Sequence, residues 1–279
     1  MLDIFLVQLD SILSTDRNCK VKNFEKVRNL LQNVQIPANR KGLIILPEMF
    51  ATGYIPKEVD AFAETFKDDR SSETHHFLTQ LAKEKNCGVM GTGILRDGEK
   101  FYNHSGFYLP EEKAEVSGYN KRKPFFPELK RNFAAGEKVS LFRIEGWKIA
   151  TAICFDLRFP ELFRDAVKSG ANLIVVQAAW PKIRKYHWET LLKARAIENQ
   201  VYIAAVNGVS TSEADPSKQL GGTSMIIDPQ GIVLAQGNDF EESIVHAEIN
   251  LEPLLKYRSD FPVLDSVFEP QKNSFQNNS

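Results

Sequence analysis

Across 279 residues, 35 basic side chains nearly balance 36 acidic ones, leaving a formal net charge of −1. That balance gives no support to a general binder of nucleic acid or anionic membranes, and no apolar stretch is long enough to span a bilayer. The length suits one large domain or two modest ones.

The chain opens with MLDIFLVQLD, which carries acids and no positive leader. It reads as a first buried strand over 2–8 rather than as a signal peptide. Helical spacing follows over 21–34, then an apolar strand at 42–46 (GLIIL), a helical pattern over 71–86 and a strand at 88–95. The adjacent His75 and His76 fall in that helical pattern, which reads as a surface helix. Two runs, 101–109 and 114–119, are joined by a PEEK turn and read as antiparallel neighbours. Further strands are expected at 148–154, 172–177 and 201–206, with helices over 160–169 and 186–200 between them. A second antiparallel pair, 223–228 and 232–236, flanks a Pro-Gln-Gly turn.

Near-continuous apolar strands alternating with helices argue an α/β fold with sheets covered on both faces. The two hairpins make those sheets mixed. No linker divides the chain, so 1–262 reads as one domain and 263–279 as a polar tail. The three cysteines, Cys19, Cys87 and Cys154, are far apart and outside any CxxC pair, and the five histidines lack HExxH or HxH spacing. Neither a disulfide framework nor a metal site is suggested, and a reducing cytoplasm is the expected setting. Neither GxGxxG nor GxxxxGK[ST] occurs, which argues against a nucleotide-binding α/β protein.

Chemistry enters at strand ends, where open α/β sheets collect ligands. Glu48 directly follows GLIILP, Lys121 follows the 114–119 strand, and Cys154 ends an apolar run before FDLRFPE. Singly, each has a plain reading: a loop carboxylate, a solvated lysine, a small buried thiol. Together they suffice for acyl transfer without histidine. An ammonium favours the thiolate, a carboxylate takes the thiol proton and returns it to a leaving amine, and the lysine with a backbone N–H holds the oxyanion.

LPEMFATGY, YNKRKPF and CFDLRFPELFR, in that order, resemble the three motif regions of the nitrilase superfamily of carbon–nitrogen hydrolases. HWETLLKARAIENQVYIAAVN and GGTSMIIDPQGIVLAQG resemble the segments that follow there. The resemblance implies an αββα sandwich of mixed sheets, a homodimer, no cofactor or metal, and the triad Glu48, Lys121 and Cys154. It also implies a second glutamate beside the lysine, best matched by Glu128 in FPELK. That match departs somewhat from the family pattern: the Lys-to-Glu stretch is short, and Glu128 lies eight residues before Gly136 where about seven are expected.

Arg158, four residues after the thiol, is placed to clamp a substrate carboxylate, as arginine does in superfamily members acting on carboxylate-bearing substrates. An ion pair with Glu161 is its alternative. On the same rim, Trp180 offers an apolar wall or a core aromatic, and Lys182 or Arg184 a contact to an anion. Tyr54 is expected to line the pocket, and Phe155 to lend its N–H to the oxyanion. CFDLRFPE, AWP and HWETLLKARAIENQ look most like the omega-amidase branch. That branch hydrolyses the terminal amide of 2-oxoglutaramate or 2-oxosuccinamate, releasing ammonia through a thioester. The rival substrates are deaminated glutathione, which a pocket narrow enough for a five-carbon acid would argue against, and a carbamoyl amino acid. The rival from another class is a non-catalytic binding protein that keeps the fold.

Overall fold

In the computed structural model, residues 1–268 are described except 17, 38, 68–71, 213–214 and 216–217. Residues 269–279, most of the expected tail, lie outside the described residues. The strands form two six-stranded sheets. The first contains β1 (Leu2–Gln8), β2 (Lys41–Ile45), β3 (Gly88–Asp97), β4 (Lys100–Tyr108), β5 (Ser117–Asn120) and β12 (Ser243–Ile249), in the order β12-β1-β2-β3-β4-β5. The second contains β6 (Leu141–Ile144), β7 (Trp147–Ile153), β8 (Leu173–Ala178), β9 (Tyr202–Asn207), β10 (Met225–Ile227) and β11 (Val233–Gln236), ordered β11-β10-β9-β8-β7-β6. Each sheet has a parallel centre, β1-β2-β3 in one and β7-β8-β9 in the other, and antiparallel edges.

The helices are α1 (Cys19–Leu30), α2 (Val59–Phe62), α3 (Glu73–Lys85), α4 (Phe126–Leu129), α5 (Pro160–Lys168), α6 (Lys185–Asn199), α7 (Leu251–Asp260) and α8 (Asp265–Phe268). Side-chain alternation explains their layering. Along β1, Leu2, Ile4 and Leu6 face the second sheet and meet Ile149, Val175 and Val206. Phe5 and Val7 point the other way, onto Val27 of α1 and Phe77 and Leu81 of α3. On the far side, Ile174 and Val176 meet Phe163 of α5 and Trp188 and Leu192 of α6. Helices, sheet, sheet and helices thus form an αββα sandwich with three apolar layers.

The sequence pattern omits β6, β12 and α7, and β5 begins at Ser117 rather than at 114. His75 corrects the surface-helix reading: it is buried at 1% exposure, with Nδ1 3.2 Å from the Tyr108 hydroxyl. Beyond Pro262, Leu264 is buried in the outer core with α5 and α6.

Candidate active site

The turn after β2 carries Glu48 into the space between the sheets. Two neighbours hold it there. Thr92 of β3 accepts from the Met49 N–H at 2.5 Å and donates to the Pro47 carbonyl at 3.1 Å. From the second sheet, the Gln177 amide donates to the Leu46 carbonyl at 2.8 Å. The Glu48 carboxylate is fully buried and accepts the Ala179 N–H on Oε2 at 2.9 Å.

Lys121 follows β5 and is likewise buried. Its carbonyl accepts the Gly136 N–H at 2.8 Å. A Cβ at Gly136 would stand 2.1 Å from the Asn120 carbonyl oxygen, so glycine allows this approach. Glu128 lies on α4, its Oε2 accepting the Phe125 N–H at 2.5 Å. Lys121 Nζ lies 2.8 Å from Glu48 Oε1 and 3.0 Å from Glu128 Oε1. Asn103, from β4, closes the ring. Its amide nitrogen donates to Glu48 Oε1 at 2.7 Å and to Glu128 Oε1 at 2.6 Å. Donors and acceptors alternate around four buried groups, which is what keeps buried charges affordable. Asn103 is the member that sequence reasoning missed. Its one signal is a lone amide among aromatic residues in the strand FYNHSGFY.

Cys154 begins a 3₁₀ turn, Cys154–Arg158, that Pro160 converts into α5. Its φ of +46° is a left-handed conformation that side-chain-bearing residues rarely adopt, and such strain concentrates at functional positions. The half-buried thiol lies beside the Glu48 carboxylate and the Ala179 N–H. Desolvation and the Glu48 charge push the thiol well above its ordinary pKa, against the opposing pull of Lys121, so the resting sulfur is protonated. Burial alone would depress the lysine, but Glu48 and Glu128 outweigh it and hold Lys121 firmly charged. Burial raises Glu128, opposed by Lys121 and reinforced by Glu48.

Glu48 and Cys154 line the floor of a cavity of about 1120 Å³, and Lys121, Glu128 and Asn103 lie beneath it in the same ring. Tyr54 lines it with its ring facing Lys121 at 5.8 Å; burial raises the phenol pKa, so it remains a neutral donor. Phe155 lines it beside Phe125, at 5.0 Å between ring centres. Trp180 is both of its alternatives: 2% exposed within the core, yet presenting one face to the cavity. On that face sits Arg158, its guanidinium carbon 4.7 Å from the ring centre. Nη2 of Arg158 lies 3.4 Å from His187 Nδ1, and among the described residues it makes no ion pair with Glu161 or another carboxylate. Burial and the nearby positive charge of Arg184, exposed on the same cavity wall, lower the Arg158 pKa. Lys182 instead pairs with Asp239 at 3.9 Å and does not line the cavity.

Among the described residues, no group of three or more His, Cys, Asp or Glu side chains is placed to hold a metal ion. No helix among them is long and apolar enough to cross a membrane.

The αββα sandwich thus gathers Glu48, Lys121 and the half-buried Cys154 between its two sheets. The carbon–nitrogen hydrolase family model matches residues 6–259, and the chain belongs to that family. A 2-oxoglutaramate amidase of Bacillus subtilis is 32% identical over 249 residues, covering 88% of this chain and 92% of that protein. An omega-amidase of Escherichia coli is 31% identical over 230 residues, covering 82% of this chain and 85% of its own. Among solved structures, a CN-hydrolase superfamily protein of Xanthomonas campestris, with an arsenic adduct in its active site, superposes with a TM-score of 0.82 at 29% identity. That match covers 95% of this chain and 96% of the other.

Proposed function

We propose that the protein hydrolyses the terminal amide of a short 2-oxo acid amide, 2-oxoglutaramate or 2-oxosuccinamate, with Cys154 as nucleophile. The observation that carries the mechanism is the closed Glu48–Lys121–Glu128–Asn103 ring with the Cys154 thiol set beside the Glu48 carboxylate.

Because the resting thiol is protonated, its proton moves to Glu48 as the sulfur attacks the amide carbon. The charge that develops on the amide oxygen is met by the Lys121 ammonium and the Phe155 N–H. Glu48 gives the proton to the nitrogen as the C–N bond breaks, ammonia leaves, and an S-acyl thioester remains. Glu48 then takes a proton from a water, whose oxygen attacks the thioester. The sulfur recovers a proton and the 2-oxo dicarboxylic acid departs. Glu128 and Asn103 hold Lys121 and Glu48 in place throughout. No step needs a metal or an organic cofactor.

The substrate reading has its own support. Arg158, fixed on Trp180 with no carboxylate partner among the described residues, offers bidentate donors to a substrate carboxylate, and Arg184 adds a second positive charge. The relatives named 2-oxoglutaramate amidase and omega-amidase point the same way. The cavity volume keeps a second reading: at about 1120 Å³ it is not a narrow slot and has room for deaminated glutathione.

The test is ammonia release from 2-oxoglutaramate, 2-oxosuccinamate, deaminated glutathione, glutamine, a carbamoyl amino acid and a nitrile. Wild type and Cys154→Ala are run in parallel. Turnover of the short 2-oxo acid amides is expected, with a loss of about 10⁴-fold or more in the variant. Wild-type turnover by Cys154→Ala would refute the mechanism; preference for deaminated glutathione would move the substrate.

A further inference from the structure

Asp156 has no part in the cycle above, yet it is completely buried two residues after the nucleophile. Its carboxylate collects three hydrogen bonds from two sides of the site. Oδ2 accepts the Ile153 N–H at 2.9 Å, from the end of β7 immediately before Cys154. The same oxygen accepts the Tyr119 hydroxyl at 2.8 Å, from β5 in the other sheet. Oδ1 accepts the Lys123 N–H at 2.8 Å, two residues beyond Lys121. The strands that deliver the thiol and the ammonium belong to different sheets, and this one carboxylate bridges them.

We infer that Asp156 is the positioning residue that sets the Cys154 turn and the Lys121 loop in one register, and that turnover requires its carboxylate to accept from both sides at once. The inference rests on the proposed acyl-transfer role of Cys154 and Lys121. Two of the partners are main-chain N–H groups, which only donate, and the Tyr119 hydroxyl donates to the ionised carboxylate. A protonated carboxyl converts one accepting oxygen into a donor: on Oδ1 it opposes the Lys123 N–H, and on Oδ2 it forces the Tyr119 hydroxyl to reverse. The contacts on either side of the site therefore loosen when Asp156 takes a proton.

That event falls within the working range. Desolvation raises Asp156 from the ordinary carboxylate range to about 6, opposed by the Lys121 ammonium and the three hydrogen bonds. From β5 and the loop after it, the groups that act on Asp156 are Tyr119 and Lys121; Lys123 and the end of β7 supply main-chain N–H groups. The sign follows directly. Above about 6 the carboxylate is ionised and the bridge is complete; below it the bridge opens and turnover falls. Tyr119 stabilises the ionised form, so deleting its hydroxyl moves the transition to higher pH.

The experiment compares wild type, Asp156→Asn and Tyr119→Phe. It follows kcat and KM for 2-oxoglutaramate hydrolysis against pH, the rate of Cys154 alkylation by iodoacetamide against pH, and the Tm of each protein. The expected result for Asp156→Asn is a kcat lowered about 10²-fold with KM little changed, and an acid limb that no longer reports a group near pH 6. For Tyr119→Phe the expected result is a smaller loss of kcat, with the acid limb moved up in pH. Alkylation needs no amide substrate, so its pH profile tests the bridge even if the substrate reading fails. A limb that stays in place in Asp156→Asn, or a lowered Tm with unchanged profiles, would overturn the inference. If Asp156→Asn does not fold, an unmoved limb in Tyr119→Phe overturns it alone.

Discussion

At the cavity floor each buried charge faces an opposite one, whereas at the rim two guanidiniums face an indole, an imidazole and each other. Glu48, Lys121 and Glu128 are at most 2% exposed, and Asn103 completes their ring of donors and acceptors. Arg158 and Arg184 line the same cavity without a carboxylate partner among the described residues. The difference reflects where each charge finds its compensation. Ions removed from water must be paired within the protein, because an uncompensated buried charge costs several kcal/mol. Ions at a wet rim stay solvated at little cost and remain free for an anionic ligand. Under the proposed function, the floor is preorganised for chemistry and the rim for selection.

The contrast can be broken hardest at Lys121. Lys121→Met leaves Glu48 and Glu128 buried together without their cation. Turnover should vanish, and stability should fall by about 3–5 kcal/mol, read by denaturant unfolding. A stable, active Lys121→Met protein would mean the floor does not depend on pairing. Asn103→Ala removes only the neutral member of the ring. It should lower kcat by about 10²-fold with KM little moved, because both carboxylates lose one fixed position.

At the rim the kinetic signature should reverse. Arg158→Gln should raise KM for 2-oxoglutaramate by about 10- to 100-fold, the value of a lost charge-assisted hydrogen bond. Its kcat should change little, and a neutral amide of equal length should be insensitive. A kcat effect without a KM effect would place Arg158 with the floor. The smallest effect is screening: raising salt from 0.05 to 0.5 M should increase KM for the anionic substrate about two- to threefold and leave kcat unchanged.

The proposed catalytic residues stood out in the sequence because they sit where local pattern changes. Glu48, Lys121 and Cys154 each follow an apolar strand, and a charged or reactive residue at that boundary stands out. The central strands were legible for a related reason: buried on both faces, they read as unbroken apolar runs. Asn103 and Asp156 were not, since their roles depend on partners far along the chain. Asn103 meets Glu48 across 55 positions, and Asp156 meets Tyr119 across 37. Strand β12 escaped because it runs at a sheet edge, and its SIVHAEI mixes polar and apolar residues. His75 was misplaced for the opposite reason. A polar residue in a helix reads as exposed until the tertiary partner, here the Tyr108 hydroxyl, is known.

The division of the floor between the two sheets carries a consequence for the folding chain. Glu48, Asn103 and Lys121 arrive with one sheet, and Cys154 with the other. Neither sheet can assemble the proposed reactive centre alone, whatever its secondary structure. A nascent or partly opened chain therefore carries the Cys154 thiol without the carboxylate and ammonium beside it. Catalysis should switch on at the last closure of the sandwich, and should be lost in mild denaturant before the strands or helices melt.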